Sequence, residues 1–238
     1  MKDYEIDEKI IKDFITHSKI AMKKFIEWGY RENVDLFLYR KIISMVGKCS
    51  ENLEELLKEK TNNKFIVLTY LTLISWDMDQ RRAHLEFFDA YQKNILENAD
   101  RLLELKGYSL ETISESELTI IKAKLSSIYN NLDLMISEGH IVSNSKILHF
   151  FFPDLIMPID NNTLNYLRQT DSVISFLKIF EFSWKVSKEM DLTSYVDNEK
   201  GNITIPKVID NIILSLMRER GRKQYYNKKL KDFKKKYY

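Results

Sequence analysis

Chain breakers are scarce in this sequence: its 238 residues hold six glycines and three prolines. Glycine and proline are the strongest punctuators of local structure, so a chain that lacks them has few ways to build tight turns or hairpins. Helices are therefore the default, and the spacing of apolar residues agrees. Ile6, Ile10, Phe14, Ala21 and Phe25 recur at helical spacing, which predicts one or two amphipathic helices between Tyr4 and Trp28, with Gly29 as the stop. Residues 33–46 and 52–60 read as two more, with Ser50 as N-cap of the second. The run 65–76 is apolar on nearly every side and reads as a buried helix. Leu85, Phe88, Tyr91 and Ile95 mark a further helix, and residues 102–105 close it.

Ser114 and Glu117 stand at capping-box spacing, and Leu118, Ile121, Leu125, Ile128, Leu132 and Met135 continue one stripe to Gly139. Residues 163–169, 173–190 and 206–220 complete the helical set, the last with Pro206 in its first turn. The fold class expected is all-α. The length allows one compact helical unit, possible lobes being 62–140 in the centre and 1–61 with 141–222 as the second, followed by a basic extension at 223–238.

Charge excludes some classes and suggests one. The net charge is only +2, yet residues 218–238 hold ten Lys or Arg against two acids, interleaved with Tyr225, Tyr226, Phe233, Tyr237 and Tyr238. Such a cluster suits contact with a phosphate backbone, and a solvated tail is the alternative. The single cysteine, Cys49, excludes a disulfide framework, and His17, His84, His140 and His149 do not fall at metal-ligand spacing, so neither metal nor cofactor is expected. The longest apolar run carries Thr69, Tyr70, Thr72 and Ser75 and is too short and polar to span a bilayer. The charged N-terminus lacks the apolar core of a signal peptide, and a cytoplasmic location is expected.

Two of the prolines, Pro153 and Pro158, fall within residues 139–162, and the best candidates for chemistry fall there too. Ser143, Asn144 and Ser145 read as a helix cap, which would put Lys146 in a first turn, where the positive end of the helix dipole disfavours an ammonium. A neutral lysine is a nucleophile. Asp160 follows an extended segment and stands at the next helix entrance, as an N-cap or as an acid or base. A capped turn, a lysine, an apolar helix, an extended proline segment and Pro158-Ile159-Asp160 follow one another in an order similar to the helix-hairpin-helix superfamily of DNA glycosylases.

That resemblance implies a two-lobed helical fold, a Lys146 that forms a Schiff base with the sugar of a damaged nucleotide, an assisting Asp160, and duplex DNA as partner. Runs 71–88 and 205–222 resemble the archaeal branch that excises oxidised guanine. The motif S-K-x-L-H-F-x-x-P-D-L-x-x-P-I-D also resembles an uncharacterised prokaryotic family. DNA contacts would come from Ser143, Asn144 and Ser145 and from Arg222, Lys223, Lys228 and Lys229. Trp76, His149 and Phe151 would line the pocket for an extruded base, the alternative for each being core packing. The pattern departs from the family in its hairpin, which keeps Gly139 alone. Lys146 and Asp160 are separated by fourteen residues, about one helical turn less than usual. The alternative function is a non-enzymatic helical module that binds nucleic acid or a protein.

Overall fold

A computed structural model of the protein describes residues 5–27, 34–61, 63–76, 78, 84–137, 140–197 and 201–237, with side chains as far as residue 220. The described residues are all-helical. The helices are α1 (Glu8–Glu27), α2 (Val34–Val46), α3 (Leu53–Leu56), α4 (Lys64–Ser75), α5 (Phe88–Glu97), α6 (Ala99–Leu103), α7 (Glu115–Asn131), α8 (His140–Phe151), α9 (Asn161–Leu167), α10 (Val173–Glu189) and α11 (Ile205–Tyr237). None of them is long and apolar enough to cross a membrane. Tyr4, Trp28, Gly29 and Gly139 lie outside the described residues.

Local capping sets several of these boundaries. Asn63 accepts from the amides of Phe65 and Ile66 to start α4, and Ser114 and Glu117 close the expected capping box at α7. Ser172 caps α10 through the Ser175 amide. Arg168 ends α9 in the left-handed region, at φ 57°.

Four expectations change. Ser50 does not cap a helix over 52–60. It is buried, and its hydroxyl donates to the Phe151 carbonyl at 2.6 Å, while α3 is a single turn. That bond ties the chain after α2 to the end of α8, satisfying a carbonyl that has no partner within its own helix.

Second, Leu85 and Met135 are not helical. They form an antiparallel bridge, with Glu86 N–H donating to Leu134 O and Ile136 N–H to His84 O. The apolar spacing continued past the end of α7 because both side chains are buried, but their backbone groups pair across the chain instead of along it.

Third, α8 begins at His140, not after Ser145. Its N-terminal amide at Ile141 donates to the Asp171 carboxylate at 3.0 Å, so the cap arrives from thirty residues away. Ser143, Asn144 and Ser145 are consequently interior helix residues with no solvent exposure, and Lys146 lies in the middle of α8. Fourth, α11 runs on from the expected 206–220 to Tyr237.

One apolar cluster joins these elements, from Ile11 and Phe14 in α1 to Ile212 and Ile213 in α11. α11 packs on α1 and α9, while α2 packs on both α4 and α8. The start of α11, the middle of α8 and the entrance to α9 thus surround one face of α2.

Candidate functional site

Between these elements lies a pocket of about 250 Å³. α2 contributes Asp35 and Tyr39, the end of α4 contributes Trp76, and α8 contributes Lys146. The extended segment before α9 brings Pro158, Ile159 and Asp160, and α11 brings Lys207 and Asp210. The two residues singled out from the sequence therefore share one pocket, and Trp76 joins them.

The register between Lys146 and Asp160 has a covalent neighbour as its anchor. Ser145 Oγ donates to the Val142 carbonyl inside α8 and accepts from the Ile159 amide at 3.0 Å. The residue before Lys146 is thereby bonded to the residue before Asp160. Asn144 Nδ2 donates to the Leu132 carbonyl at 3.0 Å, satisfying the end of α7. Ser143 Oγ donates to the His140 carbonyl. All three side chains are buried, which corrects their expected role as DNA contacts: burial leaves them no surface to offer a phosphate.

Asp160 is an N-cap. Its Oδ1 accepts from the Thr163 amide at 2.9 Å and the Thr163 hydroxyl at 3.3 Å, and its Oδ2 accepts from Asn162 Nδ2 at 3.1 Å. Lys146 Nζ lies 5.5 Å from the centroid of the Trp76 ring, and Lys207 Nζ lies at the same distance from that ring. Both ammonium groups thus draw on the negative face of one indole. Lys207 Nζ also donates to Asp210 Oδ2. Burial pushes the Asp210 carboxyl above its ordinary value, Lys207 opposes that shift, and the nearby Asp160 charge adds to it.

His149 and Phe151, the other two candidates for holding a base, do not line this pocket. His149 is fully buried behind it, with Nε2 accepting from the Tyr39 hydroxyl at 2.7 Å and Nδ1 donating to the Ile156 carbonyl at 2.6 Å. This assignment gives a neutral ring, and burial lowers its pKa to about 3. The imidazole also stacks on Tyr39, with ring centroids 5.5 Å apart. Phe151 is buried against Phe65 at 5.3 Å. Both positions follow the rule that aromatic residues at helical spacing fill the core. The side chains of Arg222, Lys223, Lys228 and Lys229 lie outside the described residues.

Asp35, Tyr39, Lys207 and Asp210 were missed in the sequence. For the last two a signal existed: Lys207-x-x-Asp210 puts an opposite-charge pair on one helix face just after Pro206. For Asp35 and Tyr39 no local signal existed, because only the packing of α2 on α8 brings them to the pocket. Among the described residues, no group of three or more His, Cys, Asp or Glu could hold a metal ion. Comparison of the chain with protein-family models, curated proteins and solved structures finds no match.

Proposed function

We propose that the pocket is the reaction site of a lysine-dependent protein resembling a DNA glycosylase, in which a two-lobed helical body takes up a damaged base flipped out of a duplex. The observation that carries this reading is the convergence of Lys146, Asp160 and Trp76, from three separate segments, on one pocket. A lysine amine can attack the sugar carbon of the extruded nucleotide to form a Schiff base, and an indole offers a flat face for a base. The basic residues of 218–238 would hold phosphates, giving binding that weakens with salt.

Borohydride reduction in the presence of lesion-bearing DNA tests the proposal. A covalent adduct is expected with the intact chain and is absent from Lys146→Ala; failure to trap an adduct across a panel of oxidised and abasic lesions removes the reading. A second reading, a non-enzymatic helical module for nucleic acid, is favoured by one observation. The Asp160 carboxylate already accepts three hydrogen bonds as an N-cap. Under that reading, salt-dependent binding to undamaged DNA survives Lys146→Ala and is lost when residues 222–238 are deleted.

A further inference from the structure

The pocket that holds Lys146 is lined by three carboxylates, Asp35, Asp160 and Asp210, and the last two differ in what they are already doing. Asp160 receives the Thr163 amide, the Thr163 hydroxyl and the Asn162 amide. Together these donors fix the carboxylate to the first turn of α9. Asp210 lies in the same pocket, near the start of α11, with its side chain about one-tenth exposed and hydrogen-bonded to Lys207. Its surroundings include charges from every neighbouring element: Lys207 on its own helix, Lys146 from α8, Asp160 at the entrance to α9 and Asp35 from α2. Tyr39 and Trp76 also line the pocket, and His149 lies behind it as a neutral ring.

A group that shuttles protons must be able to exist in both states at moderate cost, and must have an exchange partner at hand. Asp210 lines the same pocket as Lys146, and Lys207 is hydrogen-bonded to it as such a partner. Loss of hydration raises its proton affinity, and the Lys207 ammonium that donates a hydrogen bond to it can hand it a proton. We infer that Asp210, paired with Lys207, is the proton-transfer carboxylate for Schiff-base formation by Lys146, and that Asp160 is a positioning residue. The substrate class is an aldehyde, which in the DNA reading is the ring-opened sugar of a site that has lost its base. The inference rests on Lys146 being the nucleophile, as proposed above, and is independent of whether DNA is the substrate.

The Lys146 nitrogen lone pair forms a bond to the carbonyl carbon, and the carbonyl π pair moves to oxygen. One proton leaves the nitrogen for the Asp210 carboxylate and passes to that oxygen, giving a carbinolamine. A second proton, from the Lys207–Asp210 pair and replenished by solvent, lets the hydroxyl depart as water. The nitrogen lone pair closes the iminium.

The test uses the full chain, propanal and cyanoborohydride, with alkylation of Lys146 measured by peptide mass spectrometry across the acidic to alkaline range. The intact protein should give a pH optimum, and Asp210→Asn should lower the rate on the order of 10²-fold and abolish the optimum. Asp210→Glu should restore the optimum in part, and Asp160→Asn should keep it while lowering thermal stability. A Lys146 rate in the intact protein that rises steadily with pH, as for a solvated lysine, overturns the inference without reference to any variant. So does an optimum lost in Asp160→Asn and retained in Asp210→Asn. Propanal labelling that follows Asp210, with no adduct to lesion DNA, overturns the DNA reading and leaves this inference standing.

Discussion

Two regions meet at Tyr39 and treat ionisable groups in opposite ways. In the seam between α2 and α8, His149 has a partner for each ring nitrogen, and burial holds it neutral. In the adjoining pocket, two ammonium groups and three carboxylates gather around one indole. The seam resolves its polarity by fixed hydrogen bonds between neutral groups, which cost little to bury once satisfied. The pocket keeps formal charges, which are costly to desolvate and respond strongly to one another. A buried titratable residue is thus a poor guide to chemistry on its own. What separates the two regions is whether protonation can change without breaking the fold.

Three experiments can break or sharpen this contrast. The largest effect on folding should come from the core behind the pocket. Phe151 is packed on Phe65 with no exposure, and Phe151→Ala should cost about 3–5 kcal/mol. Urea denaturation measures that loss. A cost near zero would show that Phe151 is not part of the packed seam.

The next effect depends on pH. His149 titrates near 3 in the folded chain against 6.5 for an ordinary histidine. Between those values the unfolded chain carries a proton that the folded chain does not, so stability falls as pH drops through this window. The slope from this one group approaches about 1.4 kcal/mol per pH unit. Denaturation curves of the intact chain and His149→Gln should differ in slope there by about that amount. Equal slopes would place a charged histidine inside the seam.

The smallest effect is Tyr39→Phe, which removes the hydroxyl that donates to His149 and leaves an acceptor unpaired. The expected cost is about 1–3 kcal/mol. Alkylation of Lys146 should change far less than it does in Asp210→Asn. A comparable fall in both would join the two regions into a single network.

The helical class, the capping box at Ser114 and Glu117, and the entrance to α9 at Asp160 were legible because each rests on contacts within a few residues. That Lys146 and Asp160 line one pocket follows from a short stretch with one helix and one extended segment. The start of α8 was not legible, because its cap is Asp171. That single long-range bond moved Ser143, Asn144 and Ser145 from a surface turn into the core and took Lys146 away from the helix end, so the expected influence of the dipole on its amine does not apply.

By itself the sequence determined that this chain is helical, since apolar spacing and the lack of breakers act through local backbone preference and burial of one face. It also determined that residues 139–162 bring a lysine and an aspartate near one another. Only the tertiary structure decided which charges they meet. Lys207 and Asp210 lie about sixty residues further along, and Asp35 and Tyr39 more than a hundred before, and no local pattern links them to Lys146. Packing of α2 on α8, and attachment of α11 across α1 and α9, bring them to one pocket. Proton affinity depends on that assembled surrounding of charge and solvent, which has no counterpart in the linear order of residues.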